Sequence, residues 1–382
     1  MTNTRLPRDS SYLDKQSIWI GVGTTLSGPY ARIGAEMKQS AELAIEDANA
    51  AGGIRGARVF AEVPDDQSSA KIGEAVAGHF CERERLLAVV GHYSSDISIA
   101  ASAVYRRCGL AMITPIASNP LLTERGLQNV FRFTNRDDRT AQAIAAHLYD
   151  RLAKRRAVLV ESQYAYGKSM SHSFCDAFRN IGGEILTRKT VPVGERNFGP
   201  VVNAFPSGFD FVFYGGAFEG ALLLKAMRHA GLKQLFAAGD GCWDVPNFLE
   251  AAGDASETGE GVLVLAATPA IGQVSGSSAF AQRYERRYGP IINYAVNSYD
   301  ATRLVLRAIG HAADAKQAIP TREDVLAAIR KIKYEGIAYR RPTEWDSKGD
   351  NVAAETALYS IENGSYKQVA KICQNAEIQL RS

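Results

Sequence analysis

Residues 86–107, LLAVVGHYSSDISIAASAVYRR, give the clearest indication of the fold. An apolar run at 86–91 is followed by a short polar turn and then, from about Ile97, by apolar residues at helical spacing. A buried strand that leads directly into an amphipathic helix is typical of a parallel sheet covered by helices. The turn between them, SSD at 94–96, offers hydroxyl groups and unpaired helix N–H groups, which favour an anion.

A second polar turn, at 114–120, follows the next apolar run at 110–113. Because the carboxyl ends of neighbouring parallel strands meet at one edge of a sheet, we expect the hydroxyl groups of both turns to form a pocket for a small carboxylate. Two later strand ends carry further candidates. Tyr166 follows one apolar run, and Asp240 stands between two glycines, so that nothing local is expected to cover its charge. Asp240 could hold a ligand cation or cap the next turn.

The alternation of apolar runs and helical segments extends through most of the chain and starts anew near residue 138. The predicted strands are 18–23, 58–63, 86–91, 110–114, 157–161, 184–191, 209–214, 234–238 and 261–267, and the main predicted helices are 34–50, 70–81, 138–153, 167–181, 197–205, 218–230, 277–288 and 294–312. Asn363-Gly364 between two apolar runs predicts a C-terminal β-hairpin. The pattern as a whole predicts an α/β fold built from two units, each with a parallel sheet covered by helices on both faces.

The composition excludes several classes of protein. The chain has 382 residues, of which 46% are hydrophobic and 22% charged, as in soluble globular proteins. Its net charge is +3 and no long basic run is present, so no nucleic-acid partner is predicted. No apolar stretch approaches the roughly 18 residues that cross a bilayer, so no direct membrane insertion is predicted.

The five cysteines show no C-x-x-C pair, which argues against a zinc or dithiol redox site. Cys81 and Cys108 end two successive predicted helices, so a disulfide bond between them is one alternative. Buried free thiols are the favoured interpretation.

The remaining polar groups carry no catalytic signature. Neither G-x-S-x-G nor a serine or cysteine supported by histidine is present in a suitable setting, and no nucleotide-binding glycine motif occurs. His92 could act as a base but is interpreted as a structural residue at a strand end. Asp65 and Asp66 are interpreted as turn and helix-cap residues. We therefore predict no enzyme activity, no cofactor and no metal site.

Taken in order, these signals resemble one known family, the branched-chain amino-acid binding proteins of bacterial ABC transporters, or leucine-binding family, with the type I periplasmic binding fold. The resemblance rests on Leu26-Ser27-Gly28-Pro29 with Gly34, residues 50–56 (AAGGIRG), Asp65-Asp66, Gly91-His92, residues 118–123 (SNPLLT), Phe131-Arg132, Tyr166-Gly167, residues 210–216 (DFVFYGG), Trp345-Asp346 and Lys348-Gly349-Asp350. It covers nearly everything from Ile18 to the C-terminus.

The resemblance implies two doubly wound parallel-sheet lobes, joined by three crossover strands, with a ligand cleft between the lobes. The crossovers are expected near 133–137, 264–269 and 338–344. Lobe 1 would comprise residues 17–135 and 268–340, and lobe 2 residues 136–267 and 341–382. Residues 1–16 would form an N-terminal extension.

The resemblance also implies individual ligand contacts. Ser95 matches a serine that binds the ligand carboxylate, together with backbone N–H groups of the following helix. Ser118 matches a hydroxyl residue that contacts the carboxylate and the amine, with the carbonyl of Ala117 alongside. Tyr166 matches an aromatic residue from the second lobe. Asp240 matches an acidic residue that pairs with the ammonium group.

Some positions depart from the family pattern. A tyrosine of the first loop is replaced by Ile33, although Tyr30 is close. A cleft tyrosine is replaced by Ala217, followed by Phe218, which leaves room for a larger ligand side chain. Tyr93, beside the serine turn, is expected to line the pocket. The α-amino-acid anchor is thus retained, whereas the side-chain pocket is altered.

Two functions are weighed on this basis. The favoured one is a solute-binding protein that captures a small amino acid, branched-chain or otherwise apolar or aromatic, and delivers it to the membrane permease of an ABC transporter. The alternative is an intracellular sensor of amides or other small ligands on the same fold, because residues 1–17 are polar and lack the apolar core of a signal peptide. The expected location is the periplasm, or the cytoplasm if Met1 is the true start.

Overall fold

The computed structural model describes residues 17–266, 269–372 and 378–380, which fold around two β-sheets. The first sheet has five parallel strands in the order β2-β1-β3-β4-β5. These strands are β1 Ile18–Gly23, β2 Val59–Glu62, β3 Leu86–Gly91, β4 Ala111–Thr114 and β5 Val130–Arg132, and the helices between them are α1 Ala31–Ala50, α2 Ala70–Cys81, α3 Ser95–Arg107 and α4 Leu121–Glu124. The strand order reverses beside β1, which opens a crevice between the loops after β1 and β3.

The second sheet has eight strands in the order β13-β12-β11-β10-β9-β8-β6-β7. Its parallel strands are β6 Arg156–Ser162, β7 Glu184–Val191, β8 Phe211–Gly215, β9 Leu235–Ala238 and β10 Val262–Ala266, followed by the antiparallel strands β11 Thr356–Glu362, β12 Ser365–Ile372 and β13 Ile378–Leu380. The remaining α-helices are α5 Asp137–Ala146, α6 Ala165–Asn180, α7 Gly199–Asn203, α8 Gly220–His229, α9 Glu250–Ala252, α10 Ser277–Tyr288, α11 Ala295–Lys316 and α12 Arg322–Lys331. The predicted α/β fold with two parallel-sheet lobes is therefore confirmed.

The first sheet is buried on both faces. Every residue of β1, β3 and β4 is buried, which is why these strands are continuous apolar runs rather than alternating ones. One face packs against α1 and α11, and the other against α2 and α3. No described helix is both long and apolar enough to cross a membrane.

The chain crosses between the two sheets after β5, after β10 and before β11. The first runs from Phe133, which is still in the core of the first sheet, to Asp137 at the start of α5. The second was expected at 264–269, of which 267–268 lie outside the described residues. After residue 341 the chain still contacts the first sheet, because Asp350 pairs with Arg132. We propose that the third crossing lies at 351–355, and not at 338–344, just before β11 begins.

Cys81 and Cys108 form a disulfide, so the interpretation of this pair as free thiols was wrong. Cys81 is the last residue of α2 and Cys108 caps the C-terminus of α3. The two helices pack side by side on the same face of the sheet, which brings their ends together with the Cα atoms 5.7 Å apart. Cys175 and Cys242 are buried free thiols, and Cys373 lies outside the described residues.

Candidate ligand site

A cavity of about 230 Å³ lies between the two lobes, at the carboxyl ends of strands from both sheets. This volume is slightly below the roughly 300–1,000 Å³ typical of small-molecule pockets, as suits a small ligand. The residues that line it from lobe 1 are Tyr30, Ser68, Tyr93, Ser94, Ser95, Asp96, Ile116, Ala117, Ser118 and Tyr294, and those from lobe 2 are Tyr164, Tyr166, Val193, Ala217, Asp240 and Gly241.

The lobe 1 wall contains the start of α3. Ser95 is the first residue of this helix, two residues earlier than predicted, and Ser94 precedes it in an extended conformation. The first N–H that bonds within the helix is that of Ser98, which donates to the Ser94 carbonyl at 2.9 Å. The earlier N–H groups have no acceptor in this first turn, and together with the Ser95 hydroxyl they suit an anion.

The neighbouring turn is held in place by a buried polar network. The Thr114 hydroxyl donates to the His92 carbonyl at 3.0 Å and accepts the N–H of Ala117 at 2.9 Å. The fully buried guanidinium of Arg132 donates to the carbonyls of Ala117, at 3.2 Å, and Asn119, at 2.8 Å. These bonds fix the position of Ser118 beside α3. The Ala117 carbonyl therefore already has one partner within the protein.

On the lobe 2 side, Asp240 is covered by two phenols that come from distant parts of the chain. The Tyr166 hydroxyl donates to Asp240 Oδ1 at 2.7 Å, and the Tyr294 hydroxyl donates to Oδ2 at 3.1 Å. Asp240 is only 8% exposed. Burial raises the pKa of its carboxyl, and the two phenolic hydrogen bonds oppose this rise.

The two glycines beside Asp240 are required by close packing on different neighbours. A Cβ atom on Gly239 would lie 2.4 Å from the Tyr166 hydroxyl oxygen, and one on Gly241 would lie 2.5 Å from the Gly216 carbonyl oxygen. Since both distances are far below van der Waals contact, a glycine at 239 lets Tyr166 reach the carboxylate, and a glycine at 241 lets this turn lie against the backbone of Gly216.

Five tyrosines give the cavity an aromatic lining. The ring centroids of Tyr30 and Tyr93 are 5.7 Å apart, those of Tyr93 and Tyr294 6.4 Å, and those of Tyr164 and Tyr166 6.0 Å. The charged groups among the described lining residues are Asp96 and Asp240, and no lysine, arginine or histidine is among them. The electrostatic character of this part of the cleft therefore favours a ligand with a positive group near Asp240.

Asp96 joins the two lobes. Both of its carboxylate oxygens accept the N–H of Ala165, at 3.0 Å, and Ala165 is the first residue of α6 in lobe 2. The side-chain amide of Asn119 donates to the carbonyl of the same residue at 3.2 Å. A carboxylate from lobe 1 thus caps a helix of lobe 2, and the lobes are in contact across the cleft.

The structure brings together seven of the eight residues that the sequence predicted, namely Tyr93, Ser95, Ala117, Ser118, Tyr166, Ala217 and Asp240. Phe218 is not among the lining residues, and its ring packs against Tyr30 with the centroids 5.4 Å apart. The sequence prediction missed Tyr164 and Tyr294. The Tyr-Ala-Tyr-Gly turn could have indicated Tyr164, whereas no local pattern marks Tyr294.

His92 lies away from the cavity, in agreement with its structural interpretation. It is fully buried, with Nδ1 2.9 Å from Asp66 Oδ2 and Nε2 2.9 Å from the Tyr105 hydroxyl oxygen.

Asp65 accepts the N–H groups of Leu26, at 2.7 Å, and Gln67, at 2.8 Å. Asp65 and Asp66 therefore organise the turns at the ends of β1 and β2. Within the described residues, no cluster of three histidine, cysteine or acidic side chains could hold a metal.

Two parallel-sheet lobes with a polar and aromatic cavity at their facing strand ends define a two-lobed solute-binding architecture. The chain belongs to the periplasmic binding protein family, whose model matches residues 17–365. The family resemblance inferred from the sequence is thereby confirmed.

Known relatives agree with this membership. The chain is 33% identical over 226 residues to the Leu/Ile/Val-binding protein homolog 1 of Brucella abortus, a match that spans 59% of this chain and 61% of the relative. It is 28% identical over 355 residues to an amino acid binding protein of Pseudomonas aeruginosa, with 92% of each chain covered. The crystal structure of the leucine binding protein LivK of Thermotoga maritima superposes with a TM-score of 0.84 at 24% identity, covering 94% of this chain and 99% of that one.

Proposed function

We propose that this protein binds a small α-amino acid between its lobes and delivers it to the membrane permease of an ABC transporter. The observation that carries the proposal is the opposed chemistry of the two cavity walls. Ser95, Ser118 and the start of α3 offer hydrogen-bond donors on one side, and Asp240 offers a carboxylate on the other. The names of the relatives from Brucella and Pseudomonas support the same ligand class.

A zwitterion satisfies both walls at once. Its carboxylate would accept bonds from Ser95, Ser118 and the helix N–H groups, and its ammonium would face Asp240. A ligand that contacts both lobes binds the closed arrangement better than the open one and therefore shifts the population toward closure. A permease can distinguish the two arrangements, which is how such a carrier reports that it is loaded.

The proposed binding of both the carboxylate and the ammonium group can be tested by calorimetry with three kinds of ligand. Leucine and phenylalanine should bind, whereas 4-methylpentanoate, which lacks the amine, and 3-methylbutylamine, which lacks the carboxylate, should bind roughly 10- to 100-fold more weakly. Neutral amides that bind as well as the amino acids would instead support the alternative of an amide sensor. Simple carboxylates of equal affinity would also contradict the proposed role of Asp240.

Asp240→Asn is the matching variant. It keeps the shape of the side chain and one acceptor oxygen, and a phenol facing the amide nitrogen can accept its N–H instead of donating. It removes the charge opposite the ammonium, so amino-acid affinity should fall by roughly 100-fold. Asp244→Asn is the control, because Asp244 is also buried in lobe 2 but accepts the N–H of Asn247, at 2.9 Å, outside the cavity lining. Equal affinities in the two variants would remove Asp240 from the site.

The proposed place of action is the periplasm, where a carrier of this family meets its permease. Delivery can be measured as amino-acid uptake by cells that lack the gene and by cells in which it is restored. Uptake that does not depend on the gene, with ligand binding intact, would favour an intracellular sensor.

A further inference from the structure

We propose that Glu36, outside the cavity lining, is the positioning residue that holds Tyr294 against Asp240 and so sets the affinity of the site. This inference rests on the proposed amino-acid function. Glu36 lies on α1, whereas Tyr294 ends the loop that leads into α11. No sequence motif connects the two.

The Glu36 carboxylate binds three consecutive backbone N–H groups of this loop. Oε1 accepts the N–H of Ile292 at 2.6 Å, Oε2 accepts that of Tyr294 at 2.7 Å, and Asn293 donates to Oε2 at 3.1 Å. Glu36 is 1% exposed, so solvent cannot take over these bonds. The Glu36 carboxylate is therefore the acceptor for three backbone N–H groups of this loop, which would otherwise be buried without a partner.

The location of this carboxylate explains how it can remain in the interior. It sits at the N-terminus of a 22-residue helix, where the helix dipole favours negative charge. Burial raises the pKa of Glu36 to about 7, and the three N–H donors oppose the rise. A glutamine in its place would turn an N–H group toward one of the backbone donors, because an amide has only one acceptor oxygen.

The loop that Glu36 holds is also a bridge between the lobes. The Tyr294 hydroxyl donates to Asp240 Oδ2 at 3.1 Å, and the side-chain amide of Asn293 donates to the carbonyl of Trp243. Both acceptors belong to lobe 2. A shift of the loop would thus remove one of the two phenols from Asp240 and loosen a contact between the lobes.

The experiment measures amino-acid affinity by calorimetry in Glu36→Gln, Tyr294→Phe and the double variant. Each single variant should bind leucine or phenylalanine roughly tenfold more weakly. If Glu36 acts through the Tyr294 hydroxyl, the double variant should be no weaker than the weaker single variant. Independent, multiplying losses would overturn the assignment, as would an affinity of Glu36→Gln within twofold of the parent.

Asp300→Asn is a matched control for general damage to lobe 1. Asp300 is 1% exposed and accepts the N–H groups of Ile337 and Ala338, each at 2.6 Å, in a second loop. Its replacement should lower stability in a similar way but leave the affinity within twofold. Equal loss of affinity in Glu36→Gln and Asp300→Asn would show that Glu36 has only a structural role.

A second readout keeps this inference separate from the proposed function. In full-length protein labelled with 3-fluorotyrosine, the ¹⁹F resonance of Tyr294 is assigned as the one lost in Tyr294→Phe. Glu36→Gln should move this resonance without any ligand, whereas Asp300→Asn should leave it in place. An unmoved resonance overturns the positioning role, even if amino acids bind. A moved resonance in a protein that binds no amino acid supports the positioning and contradicts the proposed ligand.

Discussion

Two buried aspartates near the cavity have opposite surroundings. Asp240 accepts two phenolic hydrogen bonds, whereas neither oxygen of Asp137 accepts a well-formed hydrogen bond among the described residues. Burial raises the pKa of Asp137 to about 7, and the negative charge of Asp240 adds to the rise. The nearby hydroxyls of Ser118 and Ser169 and the charge of Arg132 oppose it. The titration of Asp137 should therefore make the free energy of unfolding depend on pH.

The variant Asp137→Asn tests whether Asp137 makes the stability of the protein depend on pH. The folded pKa lies above the ordinary value of 3.8, so the native protein binds the extra proton between about pH 4 and pH 7. The free energy of unfolding therefore falls as the pH rises through this window. Asparagine removes this penalty, which is about 4 kcal/mol above pH 7. In thermal unfolding, the stability gained by the variant should be larger at pH 8 than at pH 4. A gain that does not change with pH would contradict the assignment.

Among the helices, α3 contributes to the ligand cavity at its start and to the packing of lobe 1 at its end. Its N-terminus presents Ser95 to the cavity, and its C-terminus is tied to α2 by the disulfide. The bridge lies at the far end of the helix from the site. We therefore expect it to support the packing of α2 and α3 rather than to contact a ligand.

Removing the bridge with the pair Cys81→Ser and Cys108→Ser should destabilise lobe 1. A sequence separation of 27 residues corresponds to about 3–4 kcal/mol of lost constraint on the unfolded chain. Denaturant unfolding of the double variant measures this loss, and the parent in reducing agent should show the same midpoint. Ligand affinity at low denaturant should stay within about twofold, since the bridge is remote from Ser95. A parent insensitive to reduction would show that the bridge does not form.

The elements also differ in how readily the sequence reveals them. The runs at β3 and β7 are predicted with the observed ends, because apolar or alternating residues stop at clear turns. Helix α12 was not among the predicted elements, although Thr321 and Asp324 form a capping box at its start. A search for caps, in addition to apolar periodicity, could have found it.

At the scale of the whole molecule, the lobes are held together by contacts that the protein itself supplies. Asp96 caps α6 from the opposite lobe, Tyr294 reaches Asp240, and the Tyr30 hydroxyl donates to Glu219 Oε1 at 3.3 Å. The closed arrangement therefore has stabilising contacts of its own, to which a bound amino acid would add.

Asp96→Ala removes one of these contacts. The closed population should fall, and the apparent affinity should fall with it, by about fivefold if the cap contributes about 1 kcal/mol. Small-angle scattering during a leucine titration should show compaction at correspondingly higher ligand concentration. Thr321→Ala, which removes a cap within lobe 1, should lower stability without moving that midpoint. Coincident midpoints for Asp96→Ala and the parent would contradict a role in closure.

Short-range sequence patterns were enough to predict the α/β class, the family and seven of the residues that line the cavity, because such patterns encode buried strands, helix starts and polar strand ends. Ser95, Ser118, Tyr166 and Asp240 could be identified for that reason. Which distant residues meet depends on the packing of the folded chain. This packing pairs Cys81 with Cys108, covers Asp240 with Tyr294 and places Glu36 under the loop before α11. These contacts join residues far apart in the chain, and local periodicity carries no information about such separations.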